Sequence, residues 1–388
     1  MTCSARHRSR LLPIAALSVL GILGLSACSS GSVGGATTRF SADYSSIIPQ
    51  GDLVQASKDL VAKSLAATQG FSPDGTGPTA QKSGARIAFV GSDLTNGGVN
   101  AVASGVREAA PVIGWTIDIY DGKATAQGRT DAMNQAIASA PAAIIVGGFD
   151  PTEQASGISQ AKDAGIPVLG WHSGASTGPG NGLFTNVSTD PLAVSQLAAA
   201  YAVADSNGTA GVAVFTDGQY DIAVKKSEAM KAYVSACSGC AMLSDEDSPI
   251  AEADQRMPGL IANLLQNKGS KLSYLLAING NYFSGAQQAL RAAGTDPTGT
   301  PRSIAAGDGD AAEFQRIRNQ DYQAATVAEP LILQGWQLVD ETNRALAGQG
   351  ASGFVAAPEL ITKANVPSGD TFDPPSGYRN SYRTIWGK

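Results

Sequence analysis

"AAIIVGGFDPTEQASGISQAKDAGIPVLGW", Ala142 to Trp171, reads as one strand, a turn, a helix and a second strand. "AAIIVG" (142–147) and "IPVLGW" (166–171) are short apolar runs with no polar alternation. Such runs belong to strands buried on both faces. "EQASGISQAKDAG" between them has a helical pattern and ends on Gly165, a helix stop. A strand, a crossover helix and a strand in this length imply parallel pairing with a right-handed connection.

The same rhythm extends to both sides. Upstream lie "RIAFVG" (86–91) and "WTIDIY" (115–120); downstream lie "GVAVFT" (211–216), "SYLLAI" (273–278), "RSIAAG" (302–307) and "QAATVA" (323–328). Ala-rich helical patterns such as "VNAVASGVREAA" and "PLAVSQLAAAYAVAD" fill the intervals. A repeat of about 280 residues exceeds one core, so two α/β domains with parallel sheets are expected.

In such sheets ligands collect beyond the C-terminal ends of the strands, where helix N-termini offer free N–H groups. The residues at those ends are Asp93 and Asn96, then Asp150, then Trp171 and His172. The second half adds Asp217, Gln219, Tyr220, Asp221, Asn279, Asn281, Asp308, Asp310 and Glu329. Each alone is equally a cap or turn residue. Their recurrence at successive strand ends is what marks a binding site made of carboxylates, amides and aromatics. An enzyme is the competing reading, with His172 as a base. His172 is the only histidine beyond His7 in the leader, and the chain has no H-E-x-x-H and no Walker loop. A nucleophile elbow is not expected either. The chain is therefore read as a binding protein, without cofactor, metal or catalytic residue.

The N-terminus has Arg6, Arg8 and Arg10 before an apolar run, Leu11 to Leu25, then Leu25-Ser26-Ala27-Cys28. The run is short of the about 20 residues of a membrane span and has the layout of an export signal. The last four residues match a bacterial lipobox, with Cys28 as the lipidated residue. The expected product is exported and lipid-anchored to the outer face of the cell membrane, or held in the periplasm. Residues 1–27 are thus the signal. Residues 28–84 are expected to be a tether with one amphipathic helix, marked by Leu53, Leu60, Val61 and Leu65.

The chain has 27 Lys+Arg and 33 Asp+Glu; loss of Arg6, Arg8 and Arg10 takes the formal net charge from −6 to −9. An acidic surface repels phosphate backbones, so no nucleic-acid partner is expected. Cys237 and Cys240, in "ACSGC", are expected to form a small disulfide in an oxidising compartment. A redox pair is the alternative, but it would sit at a helix N-terminus, and this pair follows a helix pattern.

On "IAFVGSDLTN", "AAIIVGGFDPTE", "AKDAGIPVLGW", "YLLAINGNYFSGAQQALRAAG", "IAAGDGDAAEF" and "YQAATVAEPLILQGWQLVDETNRALAG", residues 85–365 resemble the type I periplasmic sugar-binding proteins, the ribose-binding-protein-like solute receptors of ABC importers. The resemblance implies two Rossmann-like lobes joined by a three-segment hinge. Lobe one would be 85–186 plus 330–353, lobe two 187–329 plus 354–365, and 366–388 an extended C-terminal strap. It implies a monomer that closes over a sugar or sugar alcohol and delivers it to ABC permease subunits. Asn96, Asn279, Asp308 and Glu329 stand at the family's ligand-contacting positions. Two departures stand out: Gly97, Gly98 and Val99 replace the aromatics after the first strand, and Trp171-His172 replaces an Asp-Arg pair. A further family arginine falls near Val224, beside Lys225 and Lys226. The expected site is rich in acceptors, Asp93, Asp150, Asp308 and Glu329, with Tyr220 and Asp221 nearby. Trp171 would cover an apolar ligand face and His172 would bond a hydroxyl. A sensory receptor for a membrane kinase or chemoreceptor, or a receptor for a non-sugar polar ligand, would present a similar site.

Overall fold

The computed structural model describes residues 43–66 and 70–388. The expected export signal, Cys28 and the first part of the expected tether lie outside the described residues. No described helix is long and apolar enough to cross a membrane.

Among the described residues the strands form two six-stranded sheets. Lobe one contains β1 (Arg86–Gly91), β2 (Thr116–Asp121), β3 (Ile144–Gly147), β4 (Val168–Trp171), β5 (Gly178–Gly180) and β6 (Leu183–Val187), in the order β2-β1-β3-β4-β6-β5. Lobe two contains β7 (Gly211–Thr216), β8 (Ala241–Asp247), β9 (Tyr274–Ala277), β10 (Arg302–Ala305), β11 (Gln323–Ala328) and β12 (Glu359–Thr362), in the order β12-β11-β10-β9-β7-β8. All pairs are parallel except β5 with β6 and β11 with β12. The two Rossmann-like α/β lobes with parallel sheets expected from the sequence are therefore present.

The helices are α1 (Leu53–Leu65), α2 (Gly97–Ile113), α3 (Ala126–Ala138), α4 (Ala155–Asp163), α5 (Pro191–Asp205), α6 (Asp221–Ser235), α7 (Ala253–Lys268), α8 (Tyr282–Ala292), α9 (Ala311–Asn319), α10 (Leu331–Leu346) and α11 (Tyr378–Trp386). Side-chain caps start several of them: Asn96 accepts from the Val99 N–H, Thr125 from Gly128 and Asp190 from Leu192. Asp310 and Glu313 form a reciprocal capping box on α9. Central strands such as β1, β3, β7 and β9 are buried on both faces. The edge strand β8, "AMLSDED", is covered on one face only, so it carries no apolar run. That is why the sequence pattern passes over it, and β5, β6 and β12 are equally short or irregular.

The chain leaves lobe one after β6, returns between β11 and α10, and crosses again between α10 and β12. In each sheet the chain winds one way and then the other from the first strand. The two reversal points, β1 beside β3 and β7 beside β9, face each other across the cleft.

Helices α2 and α10 cross backbone to backbone. A Cβ on Gly105 would lie 2.6 Å from the Ile332 carbonyl oxygen and 3.1 Å from Gly335 Cα. Gly105→Ala is expected to cost about 1–3 kcal/mol of stability by overpacking. Denaturant unfolding checks this; an unchanged midpoint would mean the helices separate freely.

Helix α1, the amphipathic helix expected within residues 28–84, docks on lobe two. Leu53 joins that lobe's core, Ser57 Oγ lies 2.9 Å from the Tyr233 hydroxyl, and Lys58 donates to Asn207 at 2.7 Å. The C-terminal segment is not wholly extended. It ends in α11, whose Trp386 stacks on Trp336 at 5.6 Å and donates from Nε1 to Asp340 at 2.8 Å. Aromatics at helical spacing, Tyr378, Tyr382 and Trp386, bury one face of α11 on lobe one. Cys237 and Cys240 form a disulfide after α6.

Candidate functional site

Between the lobes lies a cavity of about 70 Å³, lined from both sides by strand-end residues. Lobe one supplies Ser92, Asp93, Asn96, Trp171 and His172; lobe two supplies Tyr220, Lys226, Asn279 and Asp308, with apolar Ile222, Ile250 and Ile278. An outer chamber of about 700 Å³ shares Asp93, Asn96, Ile250 and Ala251 with it and opens outward past Asn100 and Asn281.

Trp171 and His172 end β4, and their rings stack at 3.9 Å with planes 9° apart. Trp171 Nε1 donates to Gln334 Oε1 at 2.8 Å, and Gln334 Nε2 donates to Thr189 Oγ1 at 3.0 Å. One face of the indole is thus taken by the imidazole and is not available to a ligand. His172 sits at φ 48, in the left-handed region. It lines the cavity, and its Nε2 lies 2.9 Å from Glu329 Oε2, so that nitrogen is taken by a carboxylate.

Glu329, in the second crossing, is fully buried and does not line the cavity. It is the meeting point of both lobes. His172 reaches it from lobe one, Lys226 from α6 of lobe two at 3.3 Å, and the Thr189 hydroxyl from the first crossing. Burial alone would raise its carboxyl, but His172 and Lys226 outweigh that and hold it well below the usual carboxylate range. Burial also lowers the His172 pKa against the pull of Glu329. The contact joins the imidazole Nε2 to the Glu329 carboxylate, with the Lys226 ammonium on its other oxygen. Glu329 therefore corrects from a ligand contact to a hinge tie.

Asp308 differs from Glu329. It is 6% exposed and lines the cavity; its carbonyl accepts from the Glu329 N–H at 3.1 Å, while its side-chain carboxyl accepts no hydrogen bond among the described residues. Burial pushes its pKa up to about 8 against the opposing charge of Lys226. Its backbone is left-handed, at φ 63. Across the cleft it meets the first turn of α2. A Cβ on Gly98 would lie 2.7 Å from Asp308 Cγ, and one on Gly97 would lie 2.1 Å from Asp310 Oδ2. The glycines that stood out in the sequence thus yield their side-chain space to two carboxylates of the other lobe.

Three other expected contacts have structural duties or lie off the cavity. Asp150 is buried and accepts from the Asp221 N–H at 2.9 Å, joining lobe one to the start of α6. Neither Asp150 nor Asp221 lines the cavity. Asp217 accepts from the N–H groups of Gln219 and Ile250. Asp93, Asn96 and Asn279 line the cavity, although each also accepts a backbone N–H from its own turn. Lys226, noted in the sequence only as lying beside the position of a family arginine, lines the cavity from inside a helix rather than from a strand end. The cavity-lining Ile250 and Ala251 follow the unrecognised β8. The chain does spell G-x-S-x-G once, at Gly174–Gly178. That stretch precedes β5 and no helix follows it directly, so it is not an elbow.

The arrangement holds a partly buried carboxylate, an ammonium and two amides around a small space closed from both lobes. It can bind a polar molecule by hydrogen bonds, and no nucleophile–base pair is assembled among the described residues that line it. A family model described as a periplasmic binding protein domain matches residues 87–350. The chain belongs to the periplasmic binding protein family. This periplasmic binding protein is thus a binding protein rather than an enzyme, of a family that works outside the cytoplasm. No curated protein sequence matches it. Solved structures share its fold. An ABC sugar transporter subunit from Rhodobacter sphaeroides is 21% identical, with a TM-score of 0.64, over 73% of this chain and 99% of that one. A sugar ABC transporter protein from Yersinia enterocolitica is 17% identical, with a TM-score of 0.66, over 79% and 94%. An ABC transporter solute-binding protein from Agrobacterium vitis, with bound allitol, is 20% identical, with a TM-score of 0.62, over 73% and 97%.

Proposed function

We propose that this chain is the lipid-anchored solute receptor of an ABC importer and that it closes over a sugar or sugar alcohol. The observation that carries the reading is Asp308, a cavity-lining carboxylate with no hydrogen-bond partner among the described residues. Desolvating a carboxylate without partners is costly, and a hydroxyl donor in the cavity relieves that cost. Lys226 beside it donates to the same class of ligand, so one hydroxyl can accept from Lys226 and donate to Asp308. Asn96 and Asn279 add amides that both donate and accept. The allitol bound to the Agrobacterium vitis protein is a ligand of this chemistry. Delivery follows from hinge closure, in which the ligand bridges the lobes and a permease engages the closed form. The lipidated residue is Cys28.

A thermal-shift panel of ribose, arabinose, galactose, tagatose, allitol and myo-inositol tests the ligand class. At a concentration of 100 Kd a true ligand stabilises the folded state by about 2.7 kcal/mol. No shift with any of them would sink the sugar and polyol assignment. Cys28→Ala is expected to move the protein from the membrane fraction to the soluble one; unchanged fractionation would sink the anchor.

A further inference from the structure

Two segments outside the matched residues 87–350 also bridge the lobes. At the N-terminal side, α1 is bound to lobe two, and Gln196 donates to the Ile47 carbonyl at 2.6 Å just before it. From Gly70 onward the chain is bound to lobe one. Asn343 Nδ2 donates to the Pro78 carbonyl at 2.9 Å, the Gln81 N–H donates to Asn343 at 2.8 Å, and Arg344 reaches the Thr76 carbonyl.

At the C-terminal side the order is reversed. Beyond β12, Arg318 of α9 in lobe two donates to the carbonyls of Pro367, at 2.6 Å, and Gly369, at 3.1 Å. Then α11 docks on α10 and α2 of lobe one, with Arg379 paired to Glu108. The two flanks meet at the hinge. Phe71 packs edge-on against Phe372 at 5.2 Å, and Ser376 Oγ donates to the Phe71 carbonyl at 2.7 Å. The N-terminal flank also ties to the third crossing and the strand it leads into: the Ala357 N–H donates to the Gly70 carbonyl at 3.1 Å, and the Leu360 N–H of β12 donates to Ser64 Oγ at 3.0 Å.

We infer that the flanks form a brace across the hinge, laced together at Phe71 and Phe372, that limits how far the lobes open. Hinges absorb backbone rotation in a few residues. Here each flank is anchored on both lobes, the N-terminal one through α1 and Asn343 and the C-terminal one through Arg318 and α11. Opening must therefore strain the laced flanks or break the Arg318 bonds, which a hinge of three crossings would not require. Arg318, Phe71 and Phe372 do not line the inner cavity, although Asp370 and Thr371 of the same flank line the outer chamber.

The test uses the full chain with no ligand added, so the sugar assignment does not enter it. Phe372→Ala with Arg318→Ala unlaces the brace and leaves the cleft residues and the Trp386 anchor in place. The expected result is a larger radius of gyration in solution scattering and at least about tenfold faster hydrogen exchange at the Ala357 and Leu360 amides, as local opening becomes easier. Unchanged radius and exchange would overturn the inference. Arg318→Ala alone removes only the two bonds to the tail and serves if the double variant does not fold. Faster exchange at those two amides supports the brace, and wild-type exchange rejects it.

Discussion

Glu329→Ala is expected to lower stability by about 3–5 kcal/mol, because it removes one partner from a buried charge network. The carboxylate is fully buried and takes hydrogen bonds or charge contacts from His172, Lys226 and Thr189. Without it, Lys226 retains a buried ammonium whose remaining neighbour is Asp308. His172 loses the acceptor that fixes its ring against Trp171. Glu329→Gln keeps the shape and one acceptor but not the charge, so an intermediate loss is expected. The acid side distinguishes this from a simple packing defect. The folded-state pKa of Glu329 lies below its unfolded value. Its stabilisation is therefore full above about pH 4.5 and is lost as pH falls through the folded pKa. Denaturant unfolding at neutral and acid pH measures both effects. A loss under about 1 kcal/mol, within the range of exposed ion pairs, would show that the carboxylate does not tie the lobes.

The second large effect lies in Asp308, and its sign is opposite. Its pKa rises from 3.8 in the reference state to about 8 in the folded chain. The folded state thus binds more protons than the unfolded state between those values. The resulting stabilisation is full below about pH 4 and is lost as pH rises through 8, by on the order of 5 kcal/mol by linkage. Asp308→Asn mimics the protonated acid and removes this slope. The variant is expected to be more stable than the parent at pH 9 and nearly equal at pH 4. Ligand affinity is expected to move the other way at pH 9, where the parent carboxyl is ionised and only accepts, falling at least about 100-fold because the amide is half donor. Unfolding at the two pH values and titration with the sugar that stabilises the parent check the pair of effects. A variant that keeps full affinity, or that shows the parent's pH slope, would remove Asp308 from the site.

Much of the architecture was legible because it rests on local periodicity. Apolar runs such as "IAFVG" and "GVAVFT" can be buried only on both faces of a sheet, and the helices between them force parallel order. Edge strands were not legible: β8 places "AMLSDED" half in solvent, so its composition resembles a loop. The loop after it, with Ile250 and Ala251, was lost from the site for the same reason.

The site was legible as a set of strand ends. Asp93, Asn96, Trp171, His172, Tyr220, Asn279 and Asp308 line the cavity as a group. Glu329, Asp150 and Asp221 stand at equivalent places and do not line it. Glu329 is buried against His172 and Lys226, and Asp150 accepts from the Asp221 N–H. His172 and Glu329 are 157 residues apart, and no local pattern encodes such a pairing. Lys226 enters because α6 points its second turn into the cleft, a fact of helix orientation.

The sequence by itself thus determined the two-lobed α/β framework, the cleft end of each sheet and the chemical types gathered there. Burial and short-range periodicity are properties of neighbouring residues. Only the tertiary structure decided which carboxylate is buried between His172 and Lys226 and which faces the cavity, and how the flanks meet at Phe71 and Phe372. Those outcomes depend on distances between segments far apart in the chain, and these exist only once the lobes are packed together.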